Sequence, residues 1–395
     1  MATGGSTRHI IRSRLQATQD FVSGEELAAE CGISRTSVWK AIKALQADGY
    51  QIAAISNRGY RLTAVPDHID GERISQTLAA LGVADCAVTV FDSLDSTLSE
   101  SKRQCAAVGA FRSADGALSA DGARLHRSLI VTGQQTAGRG RMGRVFASPA
   151  NSGVYFTVIY APKAGVTNAA LLTAMAAVAV ARAVDELCGT HARIKWVNDV
   201  FLGEKKICGI LTEGVTNFET GRIDAANVGI GINVHSPGFS GELAAVAGSI
   251  DEALDSANAA EGCEVLPVAA ENVITSNTSA DGSTVSPLSC DSRVPRVTRN
   301  DVVAHTVAHL LALYDALENG DDKTVTAALA EYRARSLVIG KVVTVTPLAG
   351  QVSVPYQARV LGIDDTAALI VQTTDGTRQT LRSGEVSLHG THFFH

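Results

Sequence analysis

The sequence predicts an α+β protein built in three parts, and three patterns carry that expectation. Residues 8–48 place apolar side chains at helical spacing on either side of a glycine, and a short hairpin follows. The middle of the chain mixes strand-like apolar runs with long helical stretches. Residues 337–388 break into short β-like runs separated by turn residues.

Taken in order, residues 8–19 alternate charged and apolar positions, with Ile11 and Leu15 one helical turn apart, as in a short amphipathic helix. Ser23 and Glu26 have the spacing of a capping box; the helix they open turns Leu27, Ala28 and Cys31 inward and stops at Gly32. Ser34 caps a second helix over 35–48. There Val38, Ala41, Ile42 and Leu45 repeat at i, i+3, i+4 and i+7, leaving Arg35, Thr36, Trp39, Lys40 and Lys43 elsewhere on the surface. Trp39 reads equally as a core residue, a partly exposed one, or one packed against the first helix. Residues 50–56 and 60–63 read as strands joined by Asn57-Arg58-Gly59. Helix, glycine turn, basic-faced helix and hairpin make a winged helix-turn-helix pattern over residues 1–65, with Arg35, Thr36, Lys40, Lys43 and Arg58 as candidate DNA contacts. A helical hairpin that serves only protein contacts shares part of this pattern.

Residues 65–68 are a linker and 71–81 a helix. Strands are expected at 87–91, 129–132 and 153–160, a long alanine-rich helix at 168–188, and further helices at 300–317 and 324–335. Residues 193–213 read as one β-hairpin interrupted by polar groups. Two stretches match nothing: 111–126, small and polar, and 256–298, whose Ala, Ser, Thr, Asn and Gly cannot bury a core and so read as a mobile surface insertion. Beyond 337, runs at 341–345, 356–363, 368–372 and 378–382, with Asp375-Gly376 as a turn, predict a small five-strand barrel of SH3-like type over 337–395.

Composition narrows the class. Nearly half the residues are apolar, and the most apolar helical stretch, 169–181, ends at Arg182 before it could cross a bilayer. With no signal pattern in residues 1–6, a cytoplasmic protein is expected. Seven scattered cysteines without a CxxC pair argue against a disulfide framework or a zinc site, and the ten histidines show no metal-site spacing. The formal charge is −6, yet residues 1–65 carry eight Lys/Arg against five Asp/Glu, leaving −9 for the rest. Only the N-terminal part tolerates a polyanion.

Four segments carry the chemistry. Gly138-Arg139-Gly140-Arg141-Met142-Gly143-Arg144 joins a pliable backbone to guanidinium forks, a design for phosphate or carboxylate. A solvated basic loop gives the same string. Lys195, Asn198, Asp199 and Lys206 bring two cations, an amide and a carboxylate near one turn, as a nucleotide with its metal requires. Asp95-Ser96-Thr97-Leu98 precedes them, and Gly229-Ile230-Gly231-Ile232-Asn233 follows. In this order and spacing, over residues 91–235, the four resemble the biotin protein ligases (biotin–[acetyl-CoA-carboxylase] ligases), whose motifs read close to DSTN, GRGRRGR, KWPND with K-x-x-G, and G-x-G-I-N.

The resemblance implies a class II synthetase-like mixed-sheet catalytic domain over 66–336, which joins biotin to ATP as biotinyl-5'-AMP and passes biotin to a lysine of a biotin carboxyl carrier protein. With the N-terminal part it implies a biotin-responsive repressor on operator DNA, dimerising when ligand binds. Position by position, Ser96, Thr97 and Gln135 would bond the ureido ring of biotin. Gly138, Arg139, Gly140 and Arg141 would wrap the carboxylate and phosphate, and Gly209 would border the biotin. Lys206 would be the main catalytic cation, with Arg141 beside it. Arg144 and Lys195 would meet ATP phosphates, Asn198 would ligate Mg²⁺, and Asp199 would orient or deprotonate the incoming lysine. Gly229 and Gly231 would let the ligand approach the backbone, and Asn233 would lie near the adenine or the metal. Read alone, Ser96 and Thr97 are equally a helix cap, Lys195 and Lys205 solvated strand residues, and Asn198-Asp199 a turn. Leu98, Met142, Phe146 and Val197 depart from the family's usual Asn, Arg, Trp and Pro. A lipoate or octanoate ligase of the same superfamily would need an Arg-Arg-x-Ser-Gly-Gly-Gly segment, which the chain lacks. A regulator that senses ligand without catalysis would not need the phosphate and metal groups that it keeps.

Overall fold

Local signals fix the first elements. The computed structural model describes residues 7–16, 18, 20–47, 50–55, 58–64, 67–108, 110–113, 115–217, 220–260, 297–346 and 354–388. Helix α1 spans Thr7–Gln16, α2 Gly24–Cys31 and α3 Arg35–Ala47. The capping box is complete: Ser23 Oγ accepts from the Glu26 amide at 3.1 Å, and Glu26 Oε2 accepts from the Ser23 amide at 3.0 Å. Such a cap contributes about 1 kcal/mol. Gly32 closes α2 in the left-handed conformation, and Ser34 Oγ accepts from the Ser37 amide at the start of α3. Strands β1 (Gln51–Ile55) and β2 (Gly59–Ala64) form the hairpin. Ile11, Leu15, Leu27, Val38, Ile42, Leu45 and Leu62 bury one core among these elements. Residues up to Asp67 belong to one compact unit, and His68–Ala257 with Val297–His395 make up a second.

The second unit is built on a seven-stranded sheet of order β3-β4-β5-β9-β8-β7-β6, comprising β3 (Val88–Phe91), β4 (Ser128–Thr132), β5 (Gly153–Tyr160), β6 (Arg193–Lys195), β7 (Asp199–Leu202), β8 (Lys205–Thr216) and β9 (Ile223–Asn233). Only β3 and β4 run parallel; the other neighbours are antiparallel. Strand β5 is buried along its whole length because both sheet faces are covered, so it reads as an unbroken apolar run. Its even-numbered residues Val154, Phe156, Val158 and Tyr160 join the main core, whereas Ile159 joins a smaller one with Cys105, Phe111 and Leu125.

The main core lies under α4 (Gly71–Ala80), α7 (Ala169–Cys188), α10 (Arg299–Asn319) and α11 (Asp322–Ala334). Asn168 caps α7, its Oδ1 accepting from the Leu171 amide at 3.0 Å, and Gly189 ends it. The small alanines let α10 and β8 approach closely, and Val178, Val180 and Val184 fill the seam at about 1.5–3 kcal/mol each. Helix α5 (Thr97–Ala107) packs on β4, β5 and β9. Two shorter helices, α8 (Gly241–Val246) and α9 (Ile250–Ala260), follow the sheet. No described helix is long and apolar enough to cross a membrane.

Three expectations need correction. Residues 193–213 form two successive hairpins, β6–β7 and β7–β8, because Gly203-Glu204 makes a second turn. Residues 111–126 are not featureless: α6 (Ala120–Leu125) is capped by Ser119, and Phe111 and Leu125 are buried. Helix α9 runs through 256–260, Val297 and Thr298 are buried at the start of α10, and the remainder of the expected insertion, 261–296, lies outside the described residues, as do Cys263 and Cys290. The five described cysteines are free thiols.

Strands β10 (Val342–Thr346), β11 (Tyr356–Ile363), β12 (Leu369–Thr373), β13 (Arg378–Leu381) and β14 (Glu385–Leu388) make an antiparallel sheet of order β13-β12-β11-β10-β14. Val343, Val345, Val360 and Val371 from its inner face continue the main core. This sheet is a layer of the second unit with its own strand order.

Candidate active site

A cavity opens over β7, β8 and β9, roofed by residues 139–146 and closed on one side by β14. Five cations line it, Arg139, Arg141, Arg144, Lys195 and Lys206, against two carboxylates, Asp199 and Glu385. In a chain of formal charge −6, that concentration marks an anion site.

Its floor is a glycine pair. Gly209 on β8 stands directly across from Gly231 on β9, and the Phe146 ring lies on both. A Cβ would meet that ring at 2.9 Å from Gly209 and at 2.7 Å from Gly231, so the loop sits at this height only over bare backbone. Tyr155 meets the ring edge-on at 6.2 Å between centroids. Gly138 is equally constrained, since a Cβ there would reach the Phe146 carbonyl oxygen at 2.3 Å.

The polar end is held by pairs. Lys206 Nζ lies 2.7 Å from Asp199 Oδ1. Arg141 donates to Asn198 Oδ1 at 3.2 Å and to the Gly384 carbonyl at 2.9 Å, and Asn198 Nδ2 donates to the Ile210 carbonyl at 2.8 Å. Arg144 makes a bidentate pair with Glu385 at 2.6 and 2.5 Å. That pairing raises the Arg144 pKa, while burial lowers those of Arg141 and Lys195 against the pull of Asp199 and Glu385. At the other end Gln135 Oε1 accepts from the Thr97 amide at 2.9 Å, and its Nε2 donates to Ser148 Oγ at 2.9 Å. Ser96 caps α5 by accepting from the Leu98 amide at 3.2 Å, and Thr157 donates to Thr97 Oγ1 at 2.9 Å. Asp95 grips Arg103 through two bonds, which holds its pKa down at about 2 and ties the approach to α5 in place.

Ser96, Thr97, Gln135, Arg139, Gly140, Arg141, Arg144, Lys195, Asn198, Asp199, Lys206 and Gly209 thus come together around one cavity. Gly138 and Asn233 do not line it. Gly138 borders an adjoining recess lined by residues 137–145, Leu211 and Glu213, and Asn233 is buried at the end of β9 with Nδ2 donating to the Gly248 carbonyl. The helix-cap alternative for Ser96 holds beside its place in the cavity. Lys205 is not a solvated strand residue: it donates to the Ala244 and Ala245 carbonyls at the end of α8. Asn198 Oδ1 faces the Arg141 guanidinium and both cavity carboxylates are paired with cations, so a magnesium ion on Asn198 would have to take the place of Arg141. Among the described residues no group of three or more His, Cys, Asp or Glu side chains could hold a metal ion.

Three family models match along the chain. They are an HTH domain over residues 7–61, the biotin/lipoate A/B protein ligase family over 124–233, and the biotin protein ligase C-terminal domain over 338–389. The bifunctional ligase/repressor BirA of Bacillus subtilis (strain 168) is 34% identical over 242 residues, 60% of this chain and 68% of that protein. The chain belongs to the biotin protein ligase family. The bifunctional ligase/repressor BirA of Escherichia coli (strain K12) is 29% identical over 221 residues, 56% of this chain and 61% of the other. A biotin protein ligase from Aquifex aeolicus, solved with biotin and ATP, shares the fold with a TM-score of 0.52 at 20% identity, over 76% of this chain and 97% of that one.

Sequence reading of this biotin protein ligase missed Glu385. It stands 241 residues from its partner Arg144, and nothing around it in Gly384-Glu385-Val386 marks a site. Phe146 was visible only as a departure from Trp, and its contact with two glycines could not be read locally. In the first unit Arg35, Thr36, Lys40 and Lys43 are exposed on α3, and Arg58 is exposed in the hairpin turn with its guanidinium 4.8 Å from the centroid of the Phe21 ring.

Proposed function

We propose that this protein is an ATP-dependent biotin–[acetyl-CoA-carboxylase] ligase that also acts as a biotin-responsive repressor. The observation that carries the reading is five cations converging on one glycine-floored cavity, within the segment that matches the ligase family. In the first step a biotin carboxylate oxygen attacks the α-phosphorus of ATP, the P–O bond to the leaving group breaks, and pyrophosphate departs. Both reactants are anions, so the barrier is electrostatic, and fixed cations lower it by stabilising the extra charge on phosphorus. Lys206 and Arg141 serve the reacting carboxylate and α-phosphate, while Arg144 and Lys195 serve the outgoing phosphates. In the second step the carrier lysine amine attacks the acyl carbon and AMP leaves. Asp199 orients that amine or takes its proton once Lys206 has turned to the ligand.

Thr97 and Gln135, the latter held by Ser148, form a hydrogen-bonded wall suited to the polar ring of biotin, with Phe146 as its apolar lid. We place Mg²⁺ on ATP as its counter-ion, since the protein oxygens near the phosphates are already paired with cations. Residues 1–65 would bind operator DNA, 66–336 would do the chemistry, and 337–395 would complete the site through β14. The reading also takes the protein to be cytoplasmic and its dimerisation to be promoted by ligand.

The test is incubation with ATP, Mg²⁺ and labelled biotin, followed by a biotin carboxyl carrier domain, with labelled lipoate in parallel. Transfer of biotin alone, with release of pyrophosphate and AMP, is the expected outcome. Transfer of lipoate instead, or none, overturns the proposal.

A further inference from the structure

The two tryptophans of this chain stand in opposite surroundings. Trp196 is 4% exposed and donates to the Ala367 carbonyl, whereas Trp39 leaves 51% of its surface in water. Trp39 also takes no part in the buried cluster of its unit, which α3 supplies through Val38, Ala41, Ile42 and Leu45. At ~100° per residue, Arg35, Thr36, Trp39, Lys40 and Lys43 fall within about 140° of arc on the face away from that cluster. Trp39 is one turn from Arg35 on one side and from Lys43 on the other. A large apolar ring is therefore displayed between two cations on the helix that a helix-turn-helix presents to a major groove.

We propose that Trp39 is a specificity-determining residue that reads a thymine by packing its indole on the C5-methyl group in the major groove. The proposal rests on the DNA-binding reading above. Cations at Arg35, Lys40 and Lys43 draw the helix to any phosphate backbone, and contacts of that kind carry no sequence information. An apolar side chain among them can discriminate through the one apolar feature of the groove, the thymine methyl. Lys40 and Lys43 beside it argue against a protein partner, since Lys is depleted from protein–protein interface cores.

The full-length protein would be used with a pool of duplexes carrying a randomised core. The enriched duplex is then remade with deoxyuridine replacing one thymidine at a time, which removes only the methyl. At one position wild-type affinity should fall about three- to tenfold. Trp39→Ala should be indifferent to that change, with the same affinity and salt slope as wild type on an unselected duplex. Because Trp39 is exposed, Trp39→Ala should melt like wild type; Trp39→Phe, which keeps an apolar ring, should retain part of the penalty. The emission of Trp39 should also shift on binding, and this response should vanish in Trp39→Phe while buried Trp196 stays silent. An unchanged deoxyuridine penalty in Trp39→Ala, or no penalty at any thymine with wild type, overturns the proposal. Should wild type enrich no sequence and bind duplexes without salt dependence, the DNA-binding reading itself falls and takes this one with it.

Discussion

Lys206 and Asp199 hold each other at 2.7 Å, and the proposed reaction assigns each to a different step. Removing the lysine leaves the carboxylate of biotin facing the α-phosphate without a screen. Lys206→Ala should therefore lose about 10²–10³-fold in pyrophosphate release, or ~3–4 kcal/mol in the barrier, while its melting curve stays near that of wild type. Lys195 gives a pH signature. Burial lowers its pKa below the ordinary lysine value, so its charge is present on the acid side and is lost as pH rises through that lowered value. The kcat/KM for ATP should fall along that alkaline limb, and Lys195→Arg, which cannot deprotonate there, should move the fall to higher pH. A limb at the same pH in both proteins would assign it to another group. Most of the residues expected at the site line one cavity, because cations, glycines and an amide gathered in a few short segments can be read without knowing how the chain packs. Asn233, expected near the adenine or the metal, lies off the cavity with its Nδ2 on the Gly248 carbonyl, and an asparagine after a glycine pair carries no local sign of that placement.

Among elements, the roof residues 139–146 meet strand β14 and the residue before it through Arg144–Glu385 and Arg141–Gly384. Arg144 on the roof is two-thirds exposed, so its pair with Glu385 is screened by water and worth little in stability. Glu385→Ala should raise amide exchange over 139–146 by no more than about fivefold without lowering the melting temperature appreciably. Biotin with ATP should then restore protection in both proteins, because phosphates replace the carboxylate as partners of the arginines. Persistent fast exchange with ligand bound would mean that Glu385 is required for closure. Elements with a single long signal were legible in advance: α7 from Asn168 to Gly189, and β5 as an apolar run of eight. The short β6 and β7 were not, because three or four residues hold too little periodicity to separate two turns from one. Nor could the sequence show that β14 closes the cavity, since that contact depends on how two sheets pack.

At the scale of the molecule, the two compact units carry opposite tasks on separate cores. Replacing Arg35, Lys40 and Lys43 together by alanine should weaken operator binding and flatten its salt dependence by about 0.9 for each phosphate that is no longer neutralised. Biotin transfer should be unchanged, and loss of both activities together would indicate unfolding. The three-part plan was legible because each part has its own hydrophobic period, whereas the shared core of the central and C-terminal sheets has no local signature. The seam between those sheets is made in an unusual currency. Trp196, Arg141, Arg333 and Asn168 reach across it and end on the main-chain oxygens of Ala367, Gly384, Ile363 and Thr366. A peptide oxygen is the same whatever side chain its residue carries. These four contacts therefore depend on where the backbone runs, and an insertion or deletion that slides the C-terminal register by one residue would misplace all four acceptors.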